Sequence, residues 1–283
     1  MQVIFFLKIC VSQDIIFICY FCNKNNSMLK FHKYQGTGND FVMIDNRNNH
    51  FNKNQDWIAY LCHRRFGIGA DGLILIENAE GYDFRMIYYN SNGLEGSMCG
   101  NGGRCAVAFA KSLGIFDTET RFIAVDGEHF AKIEGDMVHL QMKDVDTIEQ
   151  NADYFFLDTG SPHYVEFVKD LDKLNVFEKG RAIRYNERFR EKGTNVNFVE
   201  ILDDTTLQVR TYERGVEEET FSCGTGVTAS VLAYSLQMPK SPIKVKVLGG
   251  ELQISYEKVG NIYKNIFLIG KAQKVFEGII EEK

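Results

Sequence analysis

Residues 95–102 read EGSMCGNG and residues 219–226 read ETFSCGTG, so one pattern, E-x-x-x-C-G-x-G, occurs twice in the chain. Each copy is followed by an apolar stretch with many small residues, GGRCAVAFAKSL at 102–113 and GTGVTASVLAYSL at 224–236. A helix that is apolar on all sides is a buried helix, so both stretches are predicted to be central helices. The repeat indicates an internal duplication, with one cysteine at the N-terminus of each helix.

Outside these helices, the chain from Met28 onward reads mainly as short strands. They are rich in β-branched and aromatic residues and are bounded by Gly, Asp or Asn. A further helix, with amphipathic spacing, is predicted near residues 55–65. The whole pattern predicts an α/β fold of the α+β kind, built from two similar halves whose boundary lies in the polar, acidic stretch 143–152.

The composition narrows the class of protein. A chain of 283 residues is long enough for two domains, and its 45% apolar and 25% charged residues exclude a disordered or fibrous protein. The net charge of −6 disfavours nucleic acid as a partner, because a nucleic-acid binder carries a basic excess. Seven cysteines without the spacing of a disulfide framework predict a reduced, cytoplasmic enzyme with one or two working thiols.

The first 27 residues are apolar but show no strand or helix pattern continuous with the rest of the chain. Their longest uninterrupted apolar run, residues 15–22, is far shorter than the ~20 residues of a membrane span. No basic region precedes this run, which disfavours a signal peptide. We therefore expect residues 1–27 to be an N-terminal extension outside the fold, with no membrane partner. Cys19 and Cys22 have the spacing of a redox or metal pair, but no second such pair supports that interpretation.

The repeated cysteines predict a particular chemistry. A helix N-terminus carries about half a positive charge and several unpaired N–H groups, which should lower the pKa of a cysteine thiol there and hold an anion such as a carboxylate. Two such units facing each other would hold a carboxylate between them, with one sulfur on each side of the adjacent carbon. Inversion of a stereocentre next to a carboxylate needs this arrangement, because it requires a base on one face and an acid on the other.

Other interpretations of the motifs remain open at this point. Cys99 and Cys223 may be read as small buried residues in glycine-rich turns, and Cys62 and Cys105 lie in apolar helical patterns typical of core residues. Residues 67–72 match GxGxxG, but a strand-like run follows them instead of a helix, so a turn is the better interpretation. The histidines share no metal-ligand spacing. We expect neither a metal nor a cofactor.

Three motifs resemble the diaminopimelate epimerase family. They are GTGNDF at 36–41, MCGNGGR at 98–104, and YERG at 212–215 followed by the second cysteine motif. The resemblance extends from Met28 almost to the C-terminus. It implies a cofactor-independent isomerase that interconverts L,L- and meso-2,6-diaminopimelate, in lysine and peptidoglycan precursor synthesis.

The resemblance also implies the domain organisation. Residues 28–146 would form a first domain and residues 147–268 a second, each a curved β-sheet wrapped around a central helix, with the active site in the cleft between them. Residues 269–283 would form a C-terminal segment that returns to the first domain. Members of the family are commonly homodimers, so a homodimer is expected here.

Particular residues match functional positions of the family. Cys99 and Cys223 match its two acid–base cysteines. The positions that match turns holding the substrate carboxylate are Gly100, Asn101, Gly224 and Thr225. The positions that match substrate-binding asparagines are Asn39, Asn90 and Asn195.

Three charged or titratable residues match further positions of the site. Arg214 matches the residue that pairs with a substrate carboxylate, for which a bidentate guanidinium is well suited. Glu213 and His163 match polar residues that tune the protonation of the cysteines, and Glu213 is also expected to contact substrate. The chain departs from many members by having Ser161 instead of Asn, and from some by having Gly72 instead of Gln.

Two other functions remain as alternatives. A related racemase could act on another amino or hydroxy acid, but proline racemases typically have His where this chain has Asn101. A catalytically inactive binding module could use the same cleft, but both cysteines are retained.

Overall fold

The computed structural model describes residues 6–11, 14–19 and 28–282. Of the two cysteines with redox or metal-pair spacing, Cys22 lies outside the described residues. The α-helices among these residues are α1 (Gln55–Cys62), α2 (Gly100–Ser112), α3 (Val176–Arg184) and α4 (Gly224–Tyr234), with one 3-10 turn at Leu171–Lys173. No described helix is long and apolar enough to cross a membrane.

The strands fall into three groups along the chain. The N-terminal pair is β1 (Phe6–Val11) and β2 (Asp14–Cys19). The first half contains β3 (Met28–Gly36), β4 (Asn39–Asp45), β5 (Gly72–Ala79), β6 (Tyr82–Asn90), β7 (Glu119–Ala124), β8 (Gly127–Glu134) and β9 (Met137–Gln141). The second half and C-terminus contain β10 (Ile148–Gln150), β11 (Phe155–Asp158), β12 (Pro162–Phe167), β13 (Asn195–Asp203), β14 (Thr206–Glu213), β15 (Glu218–Thr220), β16 (Ile243–Val247), β17 (Gly250–Val259), β18 (Ile262–Lys271) and β19 (Gln273–Glu281).

The pairing of the strands repeats between the halves. From β3 to β9, successive strands pair in the order antiparallel, parallel, antiparallel, parallel, antiparallel, antiparallel. The same order recurs from β11 to β18 when β15, an extra strand at the edge of β14, is left aside. In both halves the second parallel connection contains a cysteine-led helix, α2 or α4. The duplication seen in the sequence thus appears as a repeated topology.

Two antiparallel pairings link distant parts of the chain. The last strands of the two halves, β9 and β18, pair so that Leu140 lies opposite Leu268. The C-terminal strand β19 pairs with β3. The N-terminal strands β1 and β2, which the sequence did not predict, pair with each other in a sheet of their own, apart from the large sheet of the other described strands.

The central helices are buried, as predicted. One core cluster includes Phe109 of α2, Val231 of α4, Leu140 and Leu268, all fully buried. Burial of a side chain of this size contributes about 1.5–3 kcal/mol. This cluster spans both halves and holds the first turns of α2 and α4 in fixed positions at the junction between them.

Two helices differ from the expectations. Helix α1 ends at Cys62, three residues earlier than predicted, because the chain turns back and the N–H groups of Ile68 and Gly69 bond the carbonyl of Leu61. Helix α3 was not predicted; the side chain of Asn175 caps it by accepting from the N–H of Glu178 at 3.2 Å.

Candidate active site

Each repeated cysteine is the N-cap residue of its central helix. Cys99 precedes α2 and Cys223 precedes α4, both with extended backbone conformation. Their carbonyls accept the first helical hydrogen bonds, from Gly103 at 2.7 Å and from Val227 at 2.9 Å. This placement is the one that the repeated pattern predicted.

The two helix N-termini meet. A Cβ atom added to Gly100 would lie 3.6 Å from the Cα of Gly224, and one added to Gly224 would lie 3.5 Å from the Cα of Gly100. Either added atom would also come within 3.0 Å of Leu268, at 2.9 and 2.7 Å respectively. A Cβ atom at either position would force the Leu268 side chain to move, which glycine avoids. The N-termini of two helices, with the N–H groups of their first turns, are thereby brought to one place.

Burial raises the pKa of both thiols. The N–H groups of Gly102 and Asn101 oppose this rise at Cys99. At Cys223 the Thr225 hydroxyl, 3.5 Å from the sulfur, opposes it. The prediction that the helix N-termini lower the thiol pKa below its usual value is wrong, because desolvation outweighs the helix dipole and the N–H groups.

Glu213 acts on both thiols. Its carboxylate, at the end of β14, is half-buried and accepts a hydrogen bond from Thr220 Oγ1 at 3.0 Å. Burial raises the pKa of this carboxyl. Its negative charge in turn raises the pKa of Cys99 and of Cys223. A group from the second half therefore influences the cysteines of both halves.

His163 is fully buried and neutral. Burial, followed by the charge of Arg214, lowers the pKa of its imidazole to about 3. Asn197, which the sequence analysis missed, donates from Nδ2 to His163 Nδ1 at 3.1 Å, and its own Oδ1 accepts from Thr211 at 3.0 Å. This network places the imidazole proton on Nε2, which has no partner among the described residues. His163 is therefore a neutral hydrogen-bond donor at Nε2 and not a cation.

Arg104 is a second group that the sequence analysis missed. Its side chain is fully buried, and among the described residues it forms no ion pair with a carboxylate. It donates to Thr37 Oγ1 at 2.8 Å and to the Gly100 carbonyl at 3.4 Å. Burial lowers the pKa of its guanidinium to about 10, so it remains positively charged at neutral pH. That charge favours the thiolate of Cys99.

The predicted residues Asn101 and Asn39 use their side chains within the protein. Asn101 Nδ2 donates to Asn39 Oδ1 at 2.5 Å and to the Ser222 carbonyl at 3.0 Å. Asn39 Nδ2 donates to Asp71 at 3.1 Å. Since Ser222 directly precedes Cys223, the Asn101 side chain ties the first cysteine motif to the second.

Arg214, Asn195 and Ser161 form one polar group at the end of β14. The backbone N–H of Arg214 donates to Asn195 Oδ1 at 2.9 Å, and its Nη2 donates to Ser161 Oγ at 3.3 Å. Asn195 Nδ2 also donates to Ser161 Oγ, at 3.1 Å. The Arg214 side chain is exposed and has no ion-pair partner among residues 28–282. Its charge is thus available to a substrate carboxylate.

Asn90 and Thr225 are the remaining predicted residues. Asn90 ends β6, is exposed, and contacts the Leu94 carbonyl at 3.5 Å. The carbonyl of Thr225 accepts a hydrogen bond from Thr159 Oγ1 at 2.9 Å.

Over the described part of the chain, no group of three or more His, Cys, Asp and Glu side chains could hold a metal ion.

A duplicated fold that brings two cysteine-capped helix N-termini together suits a racemase or epimerase, because inversion needs an acid and a base on opposite faces of one carbon. A sequence model described as Diaminopimelate epimerase matches residues 31–146 and 155–275. The chain therefore belongs to the diaminopimelate epimerase family and is an isomerase. The family expectation from the motifs is confirmed.

Individual relatives agree with this assignment. The chain is 51% identical to a diaminopimelate epimerase of Flavobacterium psychrophilum, over 89% of this chain and 100% of the relative. It is 44% identical to one of Chlorobaculum tepidum, over 87% and 98%.

Solved structures share the fold at low identity. A phenazine biosynthesis protein of the PhzF family from Bacillus anthracis superposes with a TM-score of 0.72 at 14% identity, over 90% of this chain and 100% of that one. A hydroxyproline epimerase from Agrobacterium vitis superposes with a TM-score of 0.63 at 13% identity, over 90% and 92%.

Proposed function

We propose that the protein interconverts L,L- and meso-2,6-diaminopimelate without a cofactor, with Cys99 and Cys223 as base and acid on opposite faces of one α-carbon. The observation that carries the proposal is the meeting of two cysteine-capped helix N-termini at Gly100 and Gly224. Family membership supplies the substrate.

The proposed reaction needs only the two cysteine thiols to remove one proton and to return another. One cysteine, as thiolate, removes the α-proton, and the electron pair left on the α-carbon is delocalised into the attached carboxylate. The other cysteine, as thiol, returns a proton to the opposite face, and the two sulfurs have then exchanged protonation states. The N–H groups of the first turns, at Gly100, Asn101, Gly224 and Thr225, would hold the carboxylate as its negative charge grows.

Substrate charge supports formation of the thiolate. Because burial keeps both thiols protonated, an opposite charge beside them is needed to favour ionisation. The α-ammonium group of the substrate would supply that charge, and Glu213 would accept a hydrogen bond from it. His163 would contribute as a neutral donor from the second half.

The distal end of the substrate would be held by the polar group around Arg214. In this proposal the helix N-termini bind the reacting carboxylate, and the exposed guanidinium of Arg214 binds the distal carboxylate. Asn195 positions Arg214 by accepting a hydrogen bond from its backbone N–H. Asn39 and Asn90 would contact the distal amino and carboxylate groups from the first half.

Product analysis tests the proposed function. Purified protein dialysed against a metal chelator should convert L,L-diaminopimelate to a mixture containing the meso isomer, with no added cofactor. Proline and hydroxyproline, offered in parallel, should remain unchanged. Inversion of either of these substrates with no inversion of diaminopimelate would instead support the alternative racemase.

We further propose that residues 28–146 and 147–268 are the two domains, that residues 269–283 return to the first, and that residues 1–27 are an extension outside them. The separate β1–β2 sheet and the pairing of β19 with β3 support this division. A chain that starts at Met28 should match the full chain in turnover and in melting temperature. A melting temperature lower by more than about 4 °C, equivalent to roughly 2 kcal/mol, would contradict it.

A homodimer in the cytoplasm is proposed on family membership alone. Sedimentation velocity of the full chain and of the chain starting at Met28 should give twice the monomer mass, which is 32.4 kDa for the full chain. A monomeric species at micromolar concentration would argue against the dimer. Recovery of the protein with membranes or outside the cell on fractionation would argue against the cytoplasm.

A further inference from the structure

The ring of Tyr88 lies next to Asn90, a predicted substrate-binding residue. Tyr88 precedes Asn90 by two positions on β6, so the two side chains are on the same face of the strand. A Cβ atom added to Gly96 would lie 2.9 Å from Tyr88 Cε1 and 2.8 Å from Asn90 Nδ2. The phenol ring and the amide of Asn90 therefore line the same small space.

Two glycines hold this ring in place. A Cβ atom added to Gly72 would lie 2.5 Å from Tyr88 Cε2 and 3.1 Å from the Tyr88 hydroxyl oxygen. It would also lie 2.5 Å from the Tyr89 carbonyl oxygen. Gly96 approaches the opposite edge of the ring. Neither glycine has a positive φ, so their role is to leave space and not to allow a special backbone conformation. Gly72, where some family members have Gln, is thus part of a slot that fits Tyr88.

The hydroxyl of Tyr88 is free to contact a ligand. It has no hydrogen-bond partner among the described residues, and the side chain is half-buried. Burial raises the pKa of the phenol well above its usual value, and the nearby negative charges of Asp71 and Glu213 raise it further. The hydroxyl thus lies near charged groups from both halves and stays protonated at any working pH, so it can donate a hydrogen bond.

We propose that Tyr88 is a further substrate-binding residue, whose hydroxyl donates a hydrogen bond to a carboxylate oxygen of the substrate beside Cys99. The ring fitted between Gly72 and Gly96, the hydroxyl without a partner among the described residues, and the space shared with Asn90 carry this inference, which rests on the proposed function. Gly72 has no side chain that could contact the substrate. The Tyr88 phenol, which packs against Gly72, would supply a contact there instead.

Tyr88→Phe removes only the hydroxyl and leaves the ring in its slot. A hydrogen bond to a carboxylate contributes enough that the KM for L,L-diaminopimelate should rise about 10- to 100-fold, while kcat changes less than about threefold. The matched control is Tyr89→Phe, because Tyr89 packs on the opposite face of β6 in the core cluster around Trp57. This control should keep the wild-type KM and kcat.

The outcomes separate the possible explanations. Equal melting temperatures for the two variants would show that a change in KM is not a folding effect. An unchanged KM for Tyr88→Phe, or a fall in kcat at unchanged KM, would overturn the proposal, since the hydroxyl would then not bind the ground-state substrate. If the wild-type protein fails to invert diaminopimelate at all, the proposed function fails instead.

Discussion

Replacing Cys99 or Cys223 with alanine is expected to abolish inversion of diaminopimelate, with each variant at least about 100-fold slower than wild type. In the proposed mechanism each face of the α-carbon has one sulfur, so a variant that lacks one sulfur lacks either the base or the acid in both directions of the reaction. Chiral separation of the products measures the effect. Inversion above a few percent of the wild-type rate in either variant would contradict the two-thiol mechanism.

The remaining sulfur gives each variant a distinguishing activity. In heavy water, a single thiolate can remove and return a proton on its own face, so each variant should exchange the α-hydrogen of one isomer without inverting it. The two variants should act on opposite configurations of the reacting centre. Cys105→Ala is the control, because that thiol is fully buried in α2 and burial raises its pKa to about 12. It should retain inversion.

Arg214→Lys is expected to raise the KM for L,L-diaminopimelate about 10- to 100-fold. Lysine keeps the charge but loses the planar, bidentate hydrogen bonding that suits a carboxylate. It also loses the contact from Nη2 to Ser161 Oγ that orients the guanidinium. Steady-state kinetics measure the change, and Arg121→Lys, a 71% exposed residue on β7, is the control that should leave the KM unchanged.

A ligand without the distal carboxylate identifies which substrate group Arg214 binds. Lysine is diaminopimelate without that carboxylate, and its inhibition constant should be nearly the same for wild type and Arg214→Lys. An equal loss of affinity for lysine and for diaminopimelate would assign Arg214 to the reacting carboxylate and would contradict the proposed orientation.

The sequence could predict features that depend on short segments. Both cysteine motifs and the apolar stretches behind them were enough to place α2, α4 and their N-caps, because helix signals are local. The duplication was visible because the same local pattern occurs twice. Helix α3 and the strands β1 and β2 were missed, because their sequences lack a clear hydrophobic periodicity that would identify a helix or a strand on its own.

Features that depend on packing between the halves could not be predicted. The direction of the thiol pKa shift was wrong because the sequence shows the helix N-terminus but not the burial that opposes it. The buried charge of Arg104 and the position of Tyr88 were missed for the same reason. The signal for Tyr88 was present in the spacing of two residues to Asn90 on a predicted strand, but only the structure shows that Gly72 and Gly96 make room for the ring.

The origin of the hydrogen in the product tests the central claim, that two opposed thiols do the chemistry, most directly. Wild-type protein would be given L,L-diaminopimelate in heavy water without cofactor, and the meso product would be analysed by mass spectrometry at low conversion. The acid on the opposite face exchanges its proton with solvent, so the account predicts deuterium at the inverted α-carbon and none in the recovered substrate. Protium carried from the substrate to the inverted carbon would show that one group serves both faces, and would contradict it.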